Sequence, residues 1–167
     1  FLNKQKESPE FLNNFLKYKR YIESGAQTTT DETYYDLKTL FRFVKLFLYD
    51  NKKVETITRE EFKEIQIIDV TIEDLSKIRK TDLNDYMFFL ANRLENDSRT
   101  RNRKLASAKR LYEYLEVNNL IQSNPTLNME CARTNKRLPV HLSLSQSKQL
   151  LSNTINSDVR YRIRNYA

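Results

Sequence analysis

A chain of 167 residues, 39% of them hydrophobic, can build the core of one ordinary domain, but one glycine and three prolines are too few for a turn-rich β fold. The single cysteine, Cys131, excludes an internal disulfide, and the lone glycine excludes a glycine-rich phosphate loop. The net charge of +7 is segregated: residues 1–97 carry 16 Lys and Arg against 18 Asp and Glu, a net of −2, whereas residues 98–167 carry 13 against 4, a net of +9, which points to a polyanionic partner.

The pattern predicts an all-α protein. "SPEFLNNFLKYKRYIESG" predicts a first helix with Ser8 as cap, Pro9 at the first helical position and Gly25 just past the end. Phe11, Phe15, Tyr18 and Ile22 recur on one face of it. "TTDETYYDLKTLFRFVKLFLYD" predicts a largely buried second helix that starts with a Thr29-x-x-Glu32 capping box. Its inner face is Leu37, Leu40, Phe41, Val44 and Leu48, widened by Phe43 and Phe47. One polar strip remains on it: Tyr35, Lys38, Arg42, Lys45 and Tyr49. Residues 50–70 fit either a short helix or an irregular excursion. Thr71-x-x-Asp74 opens a short helix over 71–78, and a third main helix covers 81–95 with Leu83, Met87, Leu90 and Leu94 on one face.

The fourth main helix, "DSRTRNRKLASAKRLYEYL" and onward to Val117 with Ser98 as cap, holds Arg99, Arg101, Arg103, Lys104, Lys109 and Arg110. Leu105, Ala108, Leu111, Tyr112 and Leu115 form its apolar face. At about 100° per residue, Arg99, Arg103, Ala106 and Arg110 lie opposite, flanked by Asn102 and Ser107. Acidic partners at helical spacing are nearly absent before Glu113, so the like charges repel by roughly a few tenths of a kcal/mol per pair. Phosphates laid alongside would relieve that repulsion, and arginine suits bidentate contacts to phosphate or to guanine edges.

"NPTLNMECARTNKRLP", residues 124–139, has no sustained period and reads as an extended linker carrying Arg133, Lys136 and Arg137. "SLSQSKQLLSN" starts another helix, and "DVRYRIRNYA" is helical in character and reaches Ala167 without a cap, as an element would that continues beyond it. His141 reads as a solvated or packing side chain, and Cys131 has no identifiable histidine partner. No catalytic residue, cofactor or metal site is therefore expected. The most apolar run, "LFRFVKLFLY", is interrupted by Arg42 and Lys45 and is too short to span a bilayer, so a soluble, cytoplasmic protein is expected. Two other readings stay open on these residues. One is a helical protein-interaction module with a basic surface and no DNA role. The other is an amphipathic helix on a membrane surface, with the second helix as candidate.

"TRNRKLASAKRLYEYLEVNNLIQSNP", followed by "KRLPVHLSLSQSKQLL", resembles the core-binding domain and interdomain linker of tyrosine site-specific recombinases of the phage-integrase and Xer type. Thr100, Arg103, Leu105, Ala106, Ser107, Ala108, Tyr112, Leu115, Asn124, Pro125, Leu138, Pro139 and Leu142 follow the family's order. Thr29 through Val44 match loosely, and residues 49–80 match least. The resemblance implies a SAM-like core-binding bundle of four to five helices at 1–123, a basic interdomain linker at 124–142, and the first helices of a truncated catalytic domain at 143–167. It implies sequence-specific binding of a double-stranded recombination site, with other recombinase protomers assembled on the same DNA. Contacts would come from Thr29, Thr30, Tyr35, Lys38, Arg42 and Lys45 on the second helix. Arg99, Thr100, Arg103, Ser107 and Arg110 would supply those of the fourth, and Arg133, Lys136 and Arg137 would track phosphates along the linker. The family cuts and rejoins DNA through a 3′-phosphotyrosyl intermediate. Its first catalytic arginine is expected beyond Ala167, so Tyr161, Tyr166, Arg160, Arg162 and Arg164 are assigned no catalytic role.

Overall fold

A computed structural model of the chain describes residues 7–133 and 142–156, apart from the side chains of 52 and 154–156. The chain divides into two compact units, Phe1–Thr134 and Asn135–Ala167. Among the described residues the first unit holds α1 (Glu10–Tyr21), α2 (Gln27–Tyr49), α3 (Arg59–Glu64), α4 (Ile72–Lys77), α5 (Lys80–Asn92) and α6 (Ser98–Val117), with a 3-10 turn at Asn51–Lys53. The second unit holds α7 (Leu144–Asn156). No strand occurs among the described residues, in keeping with the all-α class. All of "DVRYRIRNYA" lies outside them, as do Lys136, Arg137 and His141.

α2 is the axis of the first unit. α6 packs along it, α1 and α4 pack on it as well, and α5 packs on α6. Leu37, Leu40, Phe41, Phe43 and Val44 of α2 are at most 1% exposed, as are Leu105, Ala108, Leu111, Tyr112 and Leu115 of α6. Burying one such aliphatic or Phe side chain contributes about 1.5–3 kcal/mol before ordering costs. Phe43 meets Tyr86 and Phe89 of α5 at 5.1 and 5.4 Å between ring centroids, and Phe62 of α3 meets Phe89 at 5.1 Å. That aromatic cluster fastens the short α3 to the core. Most of the apolar face of α2 is buried in this core, with Phe47 and Leu48 half-buried against it.

Helix starts differ from the sequence reading at α1, α2 and α6, and α5 spans Lys80–Asn92 where 81–95 was expected. α1 begins at Glu10 with Pro9 in the cap position, one residue later than expected, and no side chain caps it. α2 begins at Gln27, ahead of the expected Thr29–Glu32 box, because Ala26 already has extended cap geometry and its carbonyl accepts from the Thr30 N–H. The hydroxyls of Thr30 and Thr33 turn back to the carbonyls of Ala26 and Thr29 at 3.1 and 2.8 Å, and Glu32 is left to act elsewhere. α6 is capped by Asp97 instead of Ser98, its carboxylate accepting from the Thr100 N–H at 2.8 Å.

The Thr71–Asp74 box is present as expected. A second box, Thr58–Glu61, starts α3 and resolves the ambiguity over residues 50–70; its Ser/Thr-x-x-Glu signature stands in the sequence. Gly25 is required for a reason other than the expected one. Ser24 takes the left-handed conformation (φ 53°), whereas a Cβ on Gly25 would sit 2.9 Å from the Lys19 carbonyl oxygen.

Candidate nucleic-acid interface

The 3.6-residue period sorts α6 into a buried face and an outer edge. Arg99, Arg103, Ala106 and Arg110 are exposed along that edge, with Thr100, Asn102 and Ser107 half-buried beside it. Hydrogen bonds from Thr100 hold the Asp97 carboxyl below the usual range, so it stays ionised at the helix N-terminus, where the backbone N–H groups are unpaired.

The charge crowding on α6 is relieved from across the α2–α6 contact. Asp36 of α2 is 1% exposed. Its carboxylate forms an ion pair with Arg103 Nη1 at 3.0 Å and accepts from Lys104 Nζ at 3.2 Å and Ser107 Oγ at 3.0 Å. Lys104 also donates to Thr39 Oγ1 at 3.0 Å, and its burial lowers its pKa against the opposing pull of Asp36. Glu32 approaches Arg103 to 3.9 Å, and Arg110 pairs with Glu113 at 3.4 Å. Asp36 is thus a buried anion whose partners sit on the basic helix. Sequence reasoning missed it because it stands next to Leu37 on a helix read by its apolar face.

Two further residues of α6 tie down the segment that follows it. Asn102 exchanges two hydrogen bonds with the Ala132 backbone, at 2.8 and 2.7 Å, and Lys109 donates to the Met129 carbonyl at 2.7 Å. Residues 129–132 are thereby held beside α6, and Arg133 follows directly, exposed.

The α2 strip is organised differently. Tyr35 is 56% exposed. Lys38 pairs with Glu7 at 3.3 Å. Arg42 donates from Nε to the Ile65 carbonyl at 3.0 Å and from Nη2 to the Lys63 carbonyl. Lys45 donates to the Gln66 carbonyl at 3.1 Å and pairs with Asp69 at 2.6 Å. Tyr49 donates to Asp74 at 2.8 Å. Thr29 is exposed, whereas Thr30 is 1% exposed with its hydroxyl turned inward.

The structure therefore brings Tyr35, Lys38 and Arg42 together with Lys104 around a groove of about 240 Å³, and α3 adds Arg59 and Lys63 to its lining. Lys45 lies outside that lining. Among the described residues no cluster of His, Cys, Asp and Glu could hold a metal ion, Cys131 is exposed, and no helix is long and apolar enough to cross a membrane.

The chain is similar to the tyrosine recombinase XerC of Caldanaerobacter subterraneus subsp. tengcongensis, at 32% identity over 160 residues, or 95% of this chain and 43% of that protein. It is similar to XerC of Leptospira interrogans serovar copenhageni at 23% identity over 142 residues, covering 85% of this chain and 38% of the relative. A shorter match to the tyrosine recombinase XerD of Rickettsia conorii has 34% identity over 74 residues, 44% of this chain and 24% of the relative. The chain spans less than half the length of each of these relatives. No family model and no solved structure matches it.

Proposed function

Because the chain belongs to the Xer-like tyrosine recombinases, we propose that its first unit is the DNA-binding module of such an enzyme. It reads a recombination site in double-stranded DNA, with further recombinase protomers bound to the same duplex. Residues 1–123 act as the core-binding domain, 124–142 as a basic linker, and 143–167 as the first helices of the catalytic domain. Strand cutting and rejoining is assigned to no residue of this chain.

The observation that carries this reading is the one-sided outer edge of α6. Arg99, Arg103 and Arg110 are exposed, while the carboxylate that offsets the helix's charge, Asp36, is buried on the adjacent α2 and pairs with Arg103 from the edge's flank. A duplex approaching that edge meets guanidinium groups, with Glu32 and Glu113 as the acidic side chains paired there. Exposed Ala106 lets the backbone of the partner come close. Asp36 also fixes Arg103 before DNA arrives, which lowers the ordering cost of the contact. Tyr35, Lys38 and Thr100 flank the edge, and Arg133, set beside α6 by the Asn102–Ala132 bonds, extends it. Lys136 and Arg137 follow in the chain and track phosphates along the linker.

The test is a double substitution that leaves Asp36 alone. Arg99→Ala with Arg110→Ala should lower the log–log salt slope of duplex binding by about 0.9 for each phosphate that is no longer neutralised. Unchanged affinity and slope would reject the α6 edge as the DNA face, and binding to acidic protein without salt-dependent retention on DNA would favour a protein-interaction module.

A further inference from the structure

We propose that the groove between α2, α3 and α6 seats one backbone phosphate of the bound duplex, held by Arg59 and Lys63 of α3 with Lys38 of α2. The proposal rests on the DNA-binding reading above and adds α3 as a third DNA-contacting element, drawn from the segment where the family resemblance is weakest.

The charge on α3 is sorted by face. Its six residues, REEFKE, carry three carboxylates and two cations. Arg59, Phe62 and Lys63 line the groove, whereas Glu60, Glu61 and Glu64 do not. Glu61 is turned back to cap its own helix at Thr58. No carboxylate lines the groove at all, although Lys38, Arg42, Arg59, Lys63 and Lys104 do.

Two of those five cations are already committed. Arg42 is bonded to the carbonyls of Ile65 and Lys63, and Lys104 to Asp36 and Thr39. Arg59 and Lys63 are exposed and make no ion pair among the described residues. They stand at i and i+4, where like charges repel unless an anion sits between them. Lys38 lies over the Tyr34 ring at 5.8 Å and is paired with Glu7, whose side chain is 57% exposed, an ion pair that a phosphate can displace.

The groove is also held in shape before any ligand arrives. Phe62 is 3% exposed and packs on Phe89, and Arg42 clamps the backbone at the end of α3. A cluster of cations with no carboxylate in its lining, within a notch of about 240 Å³, suits a single phosphodiester group that takes the place of Glu7 on Lys38. Tyr35, exposed and also lining the groove, is placed to pack on the adjoining sugar.

The experiment uses the chain and a duplex selected by it from a random pool, with binding measured across a salt series and phosphate-ethylation interference mapped in parallel. Arg59→Ala with Lys63→Ala should lower the log–log salt slope by about 0.9, so that affinity falls roughly threefold less between 50 and 200 mM salt. It should also abolish one ethylation-interference position while keeping those that depend on Arg99 and Arg110. An unchanged slope, or a uniform weakening with every interference position retained, would overturn the groove site and leave the α6 edge standing. If the wild-type chain selects no duplex, the DNA-binding reading itself fails, and the groove site with it.

Discussion

On α6, Arg99, Arg103 and Arg110 keep their guanidinium groups at the surface, whereas on α2 Arg42 and Lys45 are drawn onto the backbone of residues 63–66. Both helices present cations at steps of three and four, and as sequence the two strips look alike. The difference lies in what packs beside them. The outer edge of α6 keeps Arg99, Arg103 and Arg110 exposed, and the buried carboxylate that pairs with Arg103 and Lys104 comes from the adjacent α2. The α2 strip runs under the α3 region, whose terminal carbonyls are unpaired within the helix and so recruit the nearest donors. Two basic strips that look alike in sequence thus differ in how many of their donors the fold draws onto its own backbone.

Three measurements break or sharpen that contrast. The largest effect is expected at Asp36. Asp36→Ala strands Lys104, whose side chain is 10% exposed, without its anion and should cost about 3–5 kcal/mol in urea unfolding. Adding Lys104→Met should recover much of that loss. A small effect of Asp36→Ala alone would mean that the α6 charges need no compensation from α2. Next comes the direct comparison of two arginines. Arg42→Ala removes charged hydrogen bonds to two backbone carbonyls and should cost about 1.5–3 kcal/mol. Arg110→Ala, on a surface pair, should cost about 0.5 kcal/mol or less. Equal losses would erase the distinction between the two strips.

The smallest effect concerns pH. The Asp97 carboxyl is held low by its bonds from Thr100, and that of Glu61 by bonds from Thr58. A depressed folded-state pKa gives stability that is fully present above the unfolded value, near 4. It is lost as pH falls through the lower folded-state value. Asp97→Asn should therefore flatten the acid limb of the stability profile while leaving pH 7 stability little changed, because asparagine also caps helices well. An acid limb identical to wild type would deny the cap its electrostatic part.

Much of the fold was legible in the sequence, for identifiable reasons. Leu105, Ala108, Leu111, Tyr112 and Leu115 repeat at helical spacing, so their burial follows from local geometry. The same geometry put Arg99, Arg103 and Arg110 outside. Thr71-x-x-Asp74 is a contiguous signal and formed as read. Thr58-x-x-Glu61 is equally contiguous but stands in a segment without apolar periodicity, and so it did not decide between helix and excursion. Helix starts at Pro9, Ala26 and Asp97 were displaced by one to three residues because several cap-competent residues stand side by side and the backbone chooses among them.

The sequence by itself determined the all-α class, the buried face of α6 and most of that of α2, and the concentration of positive charge after residue 97. All of these depend on neighbours a few positions apart, linked by a fixed rotation per residue. On α1, by contrast, it is Leu12, Phe15 and Leu16 that are buried, while Tyr18 and Ile22, expected on the inner face, are exposed. Only the tertiary structure decided which cations remain available. Lys104 is 68 residues from the carboxylate it pairs with, and Arg42 is 23 residues from the carbonyl it bonds. Ion pairs and hydrogen bonds act over a few ångströms of space, and separation along the chain does not encode that distance.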